Sequence, residues 1–550
     1  LAKTKLTATL IFLFPLCWIL FLNQNVPFST MDDPTIHYLA KTSSYQKIVS
    51  RIVNPLTPAW TYQFQALGGE QNSLGLRPVE LLIWKTLQSL FGYAILPFYF
   101  IKGLFLSLVT VFIFFVCRRI TRSDGVSALA ALFYATTLAC YNSATIITVF
   151  DLLGQFIQGI AALLFLRLYL RNQTGSFSVR ETLFSCSVLF MTMWLSIKTY
   201  ETTKIMPMIF SAFIFMMHWR HPIAWLKKRD NQLLLLTLML MAILVVPFTA
   251  SYKVYDAAGA VIKNDSGLSY HWDTLYRFVL QNTRNAWEPE QTVALFSLKS
   301  ELPFSLARTF GFFLCWLTLL GAGAAVFNFR RILQWEEPRR SLFLFLLVWA
   351  AADIAALGLP KESDGRHLMA PLIPVTLLAA TLIWNTAQLL PQKARKAFAV
   401  LCVAGWAFAF FTNAGHNIYF RKFIGGTQIA QDDYMRFLYK DMHGKEPSYE
   451  DLTRFMLVPE ALCIWHIPFI ADDIYGDFDT KIRPERLAGL KEKYGKAYIV
   501  TTDPSRVPAD GRYKPMAVFD EVNESLFTDW ILRFKKKKGA LHHVYQFVPA

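Results

Sequence analysis

The stretch AILPFYFIKGLFLSLVTVFIFFVCRRITR, residues 94–122, decides the fold class: an apolar run over 94–117 ends directly in Arg118, Arg119 and Arg122. A helix needs about 20 mostly apolar residues to cross the hydrocarbon layer of a bilayer. An arginine cluster immediately after such a run marks the cytoplasmic side. Working outward from this stretch, comparable runs lie near 6–22, 126–141, 147–170, 182–197, 205–217, 232–250, 305–327, 341–359, 368–389 and 397–414. Together they predict an α-helical polytopic membrane protein of about eleven transmembrane helices.

The first run follows Lys3 and Lys5 and reads either as a signal peptide or as a retained anchor. It ends in Asn23-Gln24-Asn25 without an A-x-A site, which favours the anchor.

Composition agrees. Hydrophobic residues make up 54% of the 550, and mean hydropathy is +0.33; one soluble core of this size does not hide so much apolar surface. The net charge of +16 does not point to nucleic acid. Its Lys and Arg fall in short clusters between apolar runs and not along one polar face. The clusters are Lys3/Lys5, Arg118/Arg119/Arg122, Arg167/Arg171/Arg180, Arg220/Lys227/Lys228/Arg229, Arg330/Arg331/Arg339/Arg340 and Lys393/Arg395/Lys396. All agree on one parity, so these loops are expected in the cytoplasm and residues 23–93, 251–304 and 415–550 on the outward side.

Within the first outward loop, 35–52 and 79–91 have helical apolar spacing broken by polar residues and are expected to lie along the interface. From about 415 the composition changes. AYIV and HHVYQFV read as strands and PERLAGLKEKYG as a helix, predicting a small soluble α/β domain over 415–550 behind a transmembrane domain over 1–414. Lys535 to Lys538 either meet lipid headgroups or form a solvated charge run.

Cys17, Cys117, Cys140, Cys186, Cys315, Cys402 and Cys463 include no C-x-x-C pair and fall mostly in apolar segments. They read as small buried hydrophobes, without a disulfide framework or a zinc site. Gly-Ala-Gly-Ala-Ala at 321–325 follows no strand and reads as close helix packing, not a nucleotide loop.

Ionisable residues that carry chemistry gather beside the outward ends of the spans. Asp32 and Asp33 follow the first span, before Pro34. Two adjacent carboxylates can share a proton, hold a metal or supply a general base, and Asp-Asp-Pro is equally a good helix start. Arg77, before Pro78, either binds phosphate through its planar fork or snorkels to headgroups. Asp151, at the head of the fourth span, faces a substrate or pairs with a cation. Lys198, Glu201 and Lys204 occupy a very short outward turn, where the lysines suit an anionic ligand or pair with Glu201. Arg366 and His367 open a span that also contains Pro371 and Pro374. Arg366 suits a phosphate at the bilayer surface, and His367 reads as an interfacial histidine without a metal.

Taken in order, these elements resemble the GT-C superfamily of membrane glycosyltransferases, most of all its O-antigen, aminoarabinose and protein O-mannosyl members. The matched elements are Asp32-Asp33 after the first span, Arg77-Pro78, Asp151 with Arg167, the polar turn at 198–204, and Arg366-His367 with Pro371 and Pro374. They cover roughly 6–390. The resemblance implies a catalytic base at Asp32 or Asp33 and a lipid phosphate held by outward cations such as Arg77, Lys198 and Arg366. It further implies inverting transfer of a sugar from a polyprenyl-phosphate carrier to a glycan, lipid or protein acceptor. The setting it implies is a bacterial inner membrane, with the active site and the 415–550 domain facing the periplasm. No cofactor is expected, although a diphosphate donor would favour a divalent metal at Asp32/Asp33. Two departures stand out: Phe98-Tyr99-Phe100 where many relatives have His and Asn, and the lack of the Trp-Trp-Asp signature of oligosaccharyltransferases. The alternatives are a transporter or flippase of a lipid-linked substrate, or a non-catalytic subunit of envelope-polysaccharide assembly. A transporter is expected to show paired broken helices near the membrane centre.

The topology is directly testable. Cysteines placed at Ser73 and Ser525 are expected to react with an impermeant thiol reagent applied from outside the cytoplasm; labelling of either only after the membrane is opened would contradict the assigned parity.

Overall fold

The computed structural model describes residues 2–23, 40–41, 43–53, 60–65, 71–76, 78–92, 94–137, 140, 144, 151–174, 178–249, 252–255, 261–265, 329–356, 369–448, 451, 462–464, 487–489, 491–492, 495–520 and 541–548. The helices are α1 (Ala2–Leu22), α2 (Tyr45–Val53), α3 (Pro78–Phe91), α4 (Ile95–Thr121), α5 (Asp124–Thr136), α6 (Asp151–Thr174), α7 (Val179–Thr199), α8 (Met206–His218), α9 (Pro222–Leu226), α10 (Arg229–Thr249), α11 (Phe329–Leu333), α12 (Glu337–Ala356), α13 (Met369–Leu389) and α14 (Gln392–His443). Ten of the expected spans fall on these helices; the one at 305–327 lies outside the described residues. Among the described residues, the segments Thr4–Leu22, Ile95–Thr121, Asp151–Gln173, Val179–Thr199 and Leu372–Leu389 are long and apolar enough to cross a bilayer. The chain is an integral membrane protein.

The helices share one apolar cluster rich in aromatic rings. Phe165 of α6 stacks on Phe210 of α8 with centroids 4.3 Å apart, and Trp84 of α3 stacks on Phe98 of α4 at 4.8 Å. Offset stacking adds about 0.5–1.5 kcal/mol per pair beyond area burial. Small residues set the close approaches. A Cβ on Gly159 of α6 would stand 2.6 Å from the Phe112 ring of α4, so glycine allows these two spans to meet.

Polar contacts gather the basic loops at one end of the bundle. Thr4 donates to Asp124 at 2.9 Å, Arg118 pairs with Asp124, and Arg122 pairs with Glu336. Arg171 reaches Glu181 at 3.3 Å, and Glu181 also completes a capping box with Ser178 at the start of α7. Lys228 donates to the carbonyls of Asn172 and Gln173. The turn after α7 and the end of α2 lie at the opposite end.

Two short helices, α2 and α3, lie where the interfacial segments are expected, and they are tied together. The Tyr45 hydroxyl donates to Ser89 Oγ at 3.1 Å, and the Lys85 ammonium sits over the Tyr45 ring while donating to the Ala40 carbonyl at 2.9 Å. Between α2 and α3, β1 (Trp60–Gln65) pairs antiparallel with β2 (Gln71–Leu76), a hairpin not expected from the sequence. After α10, β3 (Tyr252–Tyr255) and β4 (Val261–Asp265) form a second antiparallel pair. Cys17, Cys117, Cys140, Cys186 and Cys402 are free thiols, and Cys17 stands on an exposed face of α1, unlike the buried position expected of it. A lipid-facing apolar helix readily carries a thiol there.

The last helix is the longest. At about 1.5 Å per residue α14 extends ~78 Å, running without interruption from 392 through 414 to 443. Gly444 closes it in the left-handed conformation, its N–H donating to the Lys440 carbonyl at 2.8 Å. The far end of α14 packs on a four-stranded sheet of order β5-β6-β8-β7, where β5 is Leu462–Ile464, β6 Tyr498–Thr501, β7 Tyr513–Asp520 and β8 Leu541–Phe547. The β5–β6 pair is parallel and the rest are antiparallel. Alternation sorts the strands: Tyr498, Val500 and Val544 meet Tyr434, Met435 and Leu438 of α14. Ile499, Tyr513 and Phe547 form the other face with Leu487. Pro515 stands where the β7–β8 register slips, a position that needs no ladder N–H.

One polar joint fastens α14 to this sheet. Lys496 Nζ lies 2.8 Å from Asp441 Oδ2 and donates to the Asp441 carbonyl at 2.7 Å, and the Tyr498 hydroxyl also donates to the carboxylate. Burial pushes the Asp441 carboxyl up, but the hydrogen bonds from Lys496 and Tyr498 and the Lys496 charge outweigh it and hold its pKa below the ordinary value. Burial and the bond to Asp441 in turn push the Tyr498 hydroxyl up. A lowered folded-state pKa stabilises fully above the unfolded carboxylate value of about 4 and is lost as pH falls through the folded value. The joint is partly exposed, so Asp441→Asn is expected to cost only ~1 kcal/mol near neutral pH. The difference from the unsubstituted chain should vanish in acid, measured by thermal melts across pH; a constant difference would contradict the charged joint.

Candidate functional site

The end opposite the basic loops holds a lysine that an apolar span does not place casually. Lys198 stands in the last turn of α7 and is 8% exposed. A lysine deep in a bilayer costs roughly 2.5–3.5 kcal/mol on insertion scales, less near a helix end. Trp194, one turn earlier, meets part of that cost. The Lys198 ammonium lies 4.7 Å from the Trp194 ring centroid, a cation–π contact that reaches about 2 kcal/mol when desolvated. The indole N–H of Trp194 donates to the Ile52 carbonyl at 2.9 Å, so the same side chain reaches the end of α2.

After Lys198 the chain turns within a few residues. Tyr200 caps α7, its N–H donating to the Ser196 carbonyl at 2.8 Å, and a 3₁₀ turn spans Glu201–Ile205. The Tyr200 carbonyl accepts from Thr203 Oγ1 at 2.7 Å. This tight turn carries Lys204 and leads straight into α8, whose Pro207 suits a first-turn position. Lys204 lies within electrostatic range of Lys198.

Asp151 opens α6 and is 1% exposed. The start of α6 is pressed onto the same turn. Ser196 Oγ donates to the Gly154 carbonyl at 3.2 Å, and a Cβ on Gly154 would stand 2.4 Å from Tyr200 Cβ. That contact involves the root of the tyrosine side chain, which cannot swing away, so only glycine fits. One turn into α6, Gln155 accepts from the Tyr134 hydroxyl of α5 at 2.6 Å, fixing a third helix to the same end. Asp353 adds a further carboxylate, 2% exposed in α12, a helix that packs against the 3₁₀ turn.

The structure thus brings Lys198, Lys204 and Asp151 to one end of the bundle. Asp32, Asp33, Arg77, Arg366 and His367 lie outside the described residues, as does the side chain of Glu201. Among the described residues, no three His, Cys, Asp or Glu converge as a metal would require. Reading the sequence missed Trp194, Tyr200, Gly154 and Asp353. An aromatic or a glycine in an apolar run reads as packing, and only the lone Asp353 inside the 341–359 span carried a signal that the sequence offered.

No family model matches the sequence, and no curated protein matches it. Solved structures do. The archaeal oligosaccharyltransferase AglB from Archaeoglobus fulgidus, in complex with an inhibitory peptide and a dolichol-phosphate, superposes with a TM-score of 0.54 at 14% identity, over 91% of this chain and 69% of that chain. An Archaeoglobus fulgidus oligosaccharyltransferase in the apo form gives a TM-score of 0.52 at 12% identity, over 90% of this chain and 69% of that chain. ArnT from Cupriavidus metallidurans in the apo state aligns over 99% of this chain and 98% of its own at 14% identity, with a TM-score of 0.42, too low to establish a common fold. Over most of its length, the chain has the fold of an archaeal oligosaccharyltransferase.

Proposed function

We propose that this protein is an inverting membrane glycosyltransferase that moves a sugar from a polyprenyl-phosphate carrier to a glycan, lipid or protein acceptor on the outward, periplasmic face of a bacterial inner membrane. The observation that carries the reading is the nearly buried Lys198 beside Lys204, at the end of the bundle away from the basic loops, within a GT-C fold. A cation held there is matched to an anion that arrives through the bilayer. A lipid phosphate is such an anion, and the AglB structure contains a dolichol-phosphate.

The chemistry asks little of the protein. Asp32 or Asp33 takes the proton of the acceptor hydroxyl, whose oxygen attacks the anomeric carbon from the side opposite the carrier. The bond from that carbon to the phosphate oxygen breaks, and its electron pair stays on the phosphate. Lys198 and Lys204, with Arg77 and Arg366, stabilise the charge that develops on the leaving group. A monophosphate donor needs no more than these cations. Asp151 suits a contact with the sugar or the acceptor, since a carboxylate accepts hydrogen bonds from hydroxyls. The membrane supplies the donor, and the sheet domain at the far end of α14 faces the same side as the chemistry.

The decisive experiment is turnover of a synthetic polyprenyl-phosphate sugar by purified variants. Asp32→Asn is expected to lower kcat by about two to four orders of magnitude, the worth of a positioned base, with donor affinity little changed. Asp33→Asn is expected mainly to lower the melting temperature slightly, since Asn caps a helix nearly as well as Asp. Near-normal turnover in both single variants and in the double variant would sink the proposed mechanism.

A further inference from the structure

Helix α12 carries a polar pair that the reaction scheme above does not use. The helix begins at the basic end, where Glu336, just before its first turn, pairs with Arg122. Asp353 lies in its last turn, ~24 Å further along at about 1.5 Å per residue. That is the end at which α12 packs against the 3₁₀ turn carrying Lys204. Phe345, Trp349 and Asp353 recur at intervals of one helical turn and so share a face. Phe345 shows which way the face is turned: its ring centroid lies 5.9 Å from that of Phe165 in α6 and 5.8 Å from that of Phe210 in α8. Trp349 follows, 5.8 Å from Phe345.

Asp353 and Trp349 are each 2% exposed. Neither Asp353 Oδ2 nor Trp349 Nε1 has a hydrogen-bond partner; the indole N–H lies toward the carboxyl but not in hydrogen-bonding geometry. Hydroxyls elsewhere in the spans satisfy themselves on their own helix. Thr110 donates to the Leu106 carbonyl at 2.6 Å, and Thr381 to the Leu377 carbonyl at 2.7 Å. A carboxylate has no such recourse, because it only accepts and the spare capacity of a helix interior lies on its carbonyls. An indole N–H only donates. A hydroxyl meets both needs at once, accepting from the N–H and donating to the carboxyl oxygen. Water and sugar both supply hydroxyls, and the location favours sugar. A sugar joined to a phosphate through one oxygen stands beside it, and this pair borders the turn that carries Lys204.

Resting on the reading of Lys198 and Lys204 as a phosphate site, we infer that Asp353 and Trp349 form the hydroxyl-binding subsite for the sugar which that phosphate carries. Asp353 accepts from a sugar hydroxyl, and Trp349 donates to the same oxygen. Asp353 is then a specificity-determining residue, since a buried acceptor discriminates strongly against a sugar that lacks the hydroxyl. A carboxyl kept for a ligand also works against stability, because leucine suits that position of a span better.

The test is calorimetric titration of the full chain, in nanodiscs of zwitterionic lipid, with two kinds of probe. One is farnesyl phosphate; the other is a panel of farnesyl phosphates carrying glucose, mannose, galactose, N-acetylglucosamine or arabinose. At least one sugar is expected to tighten binding over farnesyl phosphate itself in the unsubstituted chain. Asp353→Leu is expected to weaken binding of that probe about tenfold, to leave farnesyl phosphate unchanged and to melt no lower than the unsubstituted chain. Asp353→Asn, nearly isosteric, keeps the test open should the leucine variant not fold, and is expected to lose part of the gain. Trp349→Phe, which keeps a ring but has no N–H, is expected to cost about threefold. A sugar gain undiminished in both Asp353 variants would leave the pair a water and overturn the inference, as would the lack of gain from every sugar in the unsubstituted chain. Equal losses with and without the sugar would overturn it too, marking a structural carboxyl. The underlying reading fails separately: undiminished farnesyl phosphate affinity in Lys198→Gln would remove the phosphate site itself.

Discussion

A cation in a dry, apolar span must be held by something, and the lysine end of this bundle is organised around that requirement. Lys198 rests on the Trp194 ring, Trp194 is itself tied to α2, and the short turn beyond Lys198 is fixed by Tyr200 and Thr203. The head of α6 is pressed onto that turn through Gly154, which brings Asp151 to the same end. Each contact follows from the same physics: in hydrocarbon no water completes an unmet hydrogen bond or screens a charge. Polar groups there must find one another, and the places where they do are the places where a polar ligand can be met.

The two ends of the bundle use charge differently. At the basic end, Arg118, Arg122 and Arg171 each have an acidic partner, and the Arg122–Glu336 pair connects loops distant in sequence. Exposed pairs of this sort contribute little stability individually, about 0–1 kcal/mol, but they settle which loops share a side. At the other end, Lys198 has an aromatic partner and a second lysine within range. The long α14 then carries the chain away from the spans to a sheet held by Asp441, Lys496 and Tyr498.

Much of the fold was legible because bilayer thickness imposes a length and hydropathy that a single sequence displays. The 94–117 run became α4, the polar-apolar spacing of 79–91 became α3, and AYIV and HHVYQFV became β6 and β8. What escaped depends on contacts between distant positions. Nothing local marks Trp194 as a partner of both Ile52 and Lys198, and nothing near Gly154 announces Tyr200. The hairpin of β1 and β2 was passed over although residues 60–65, WTYQFQ, alternate aromatic and polar side chains with the period of a strand. The composition change near 415 suggested a domain boundary, yet no helix stop accompanies it and α14 passes through unbroken. Of the site, Lys198, Lys204 and Asp151 were legible as charges in costly places. Their mutual arrangement was not, because it is set by packing.

The central claim is that a lipid phosphate is bound at the Lys198 end of the bundle. A cryo-electron microscopy structure of the full chain with a bound polyprenyl phosphate measures this directly. The account predicts the phosphorus within ion-pair reach of the Lys198 ammonium, with the prenyl chain running between spans toward the membrane interior. Density for the phosphate at the opposite end, among Arg118, Arg122 and Arg339, would contradict it.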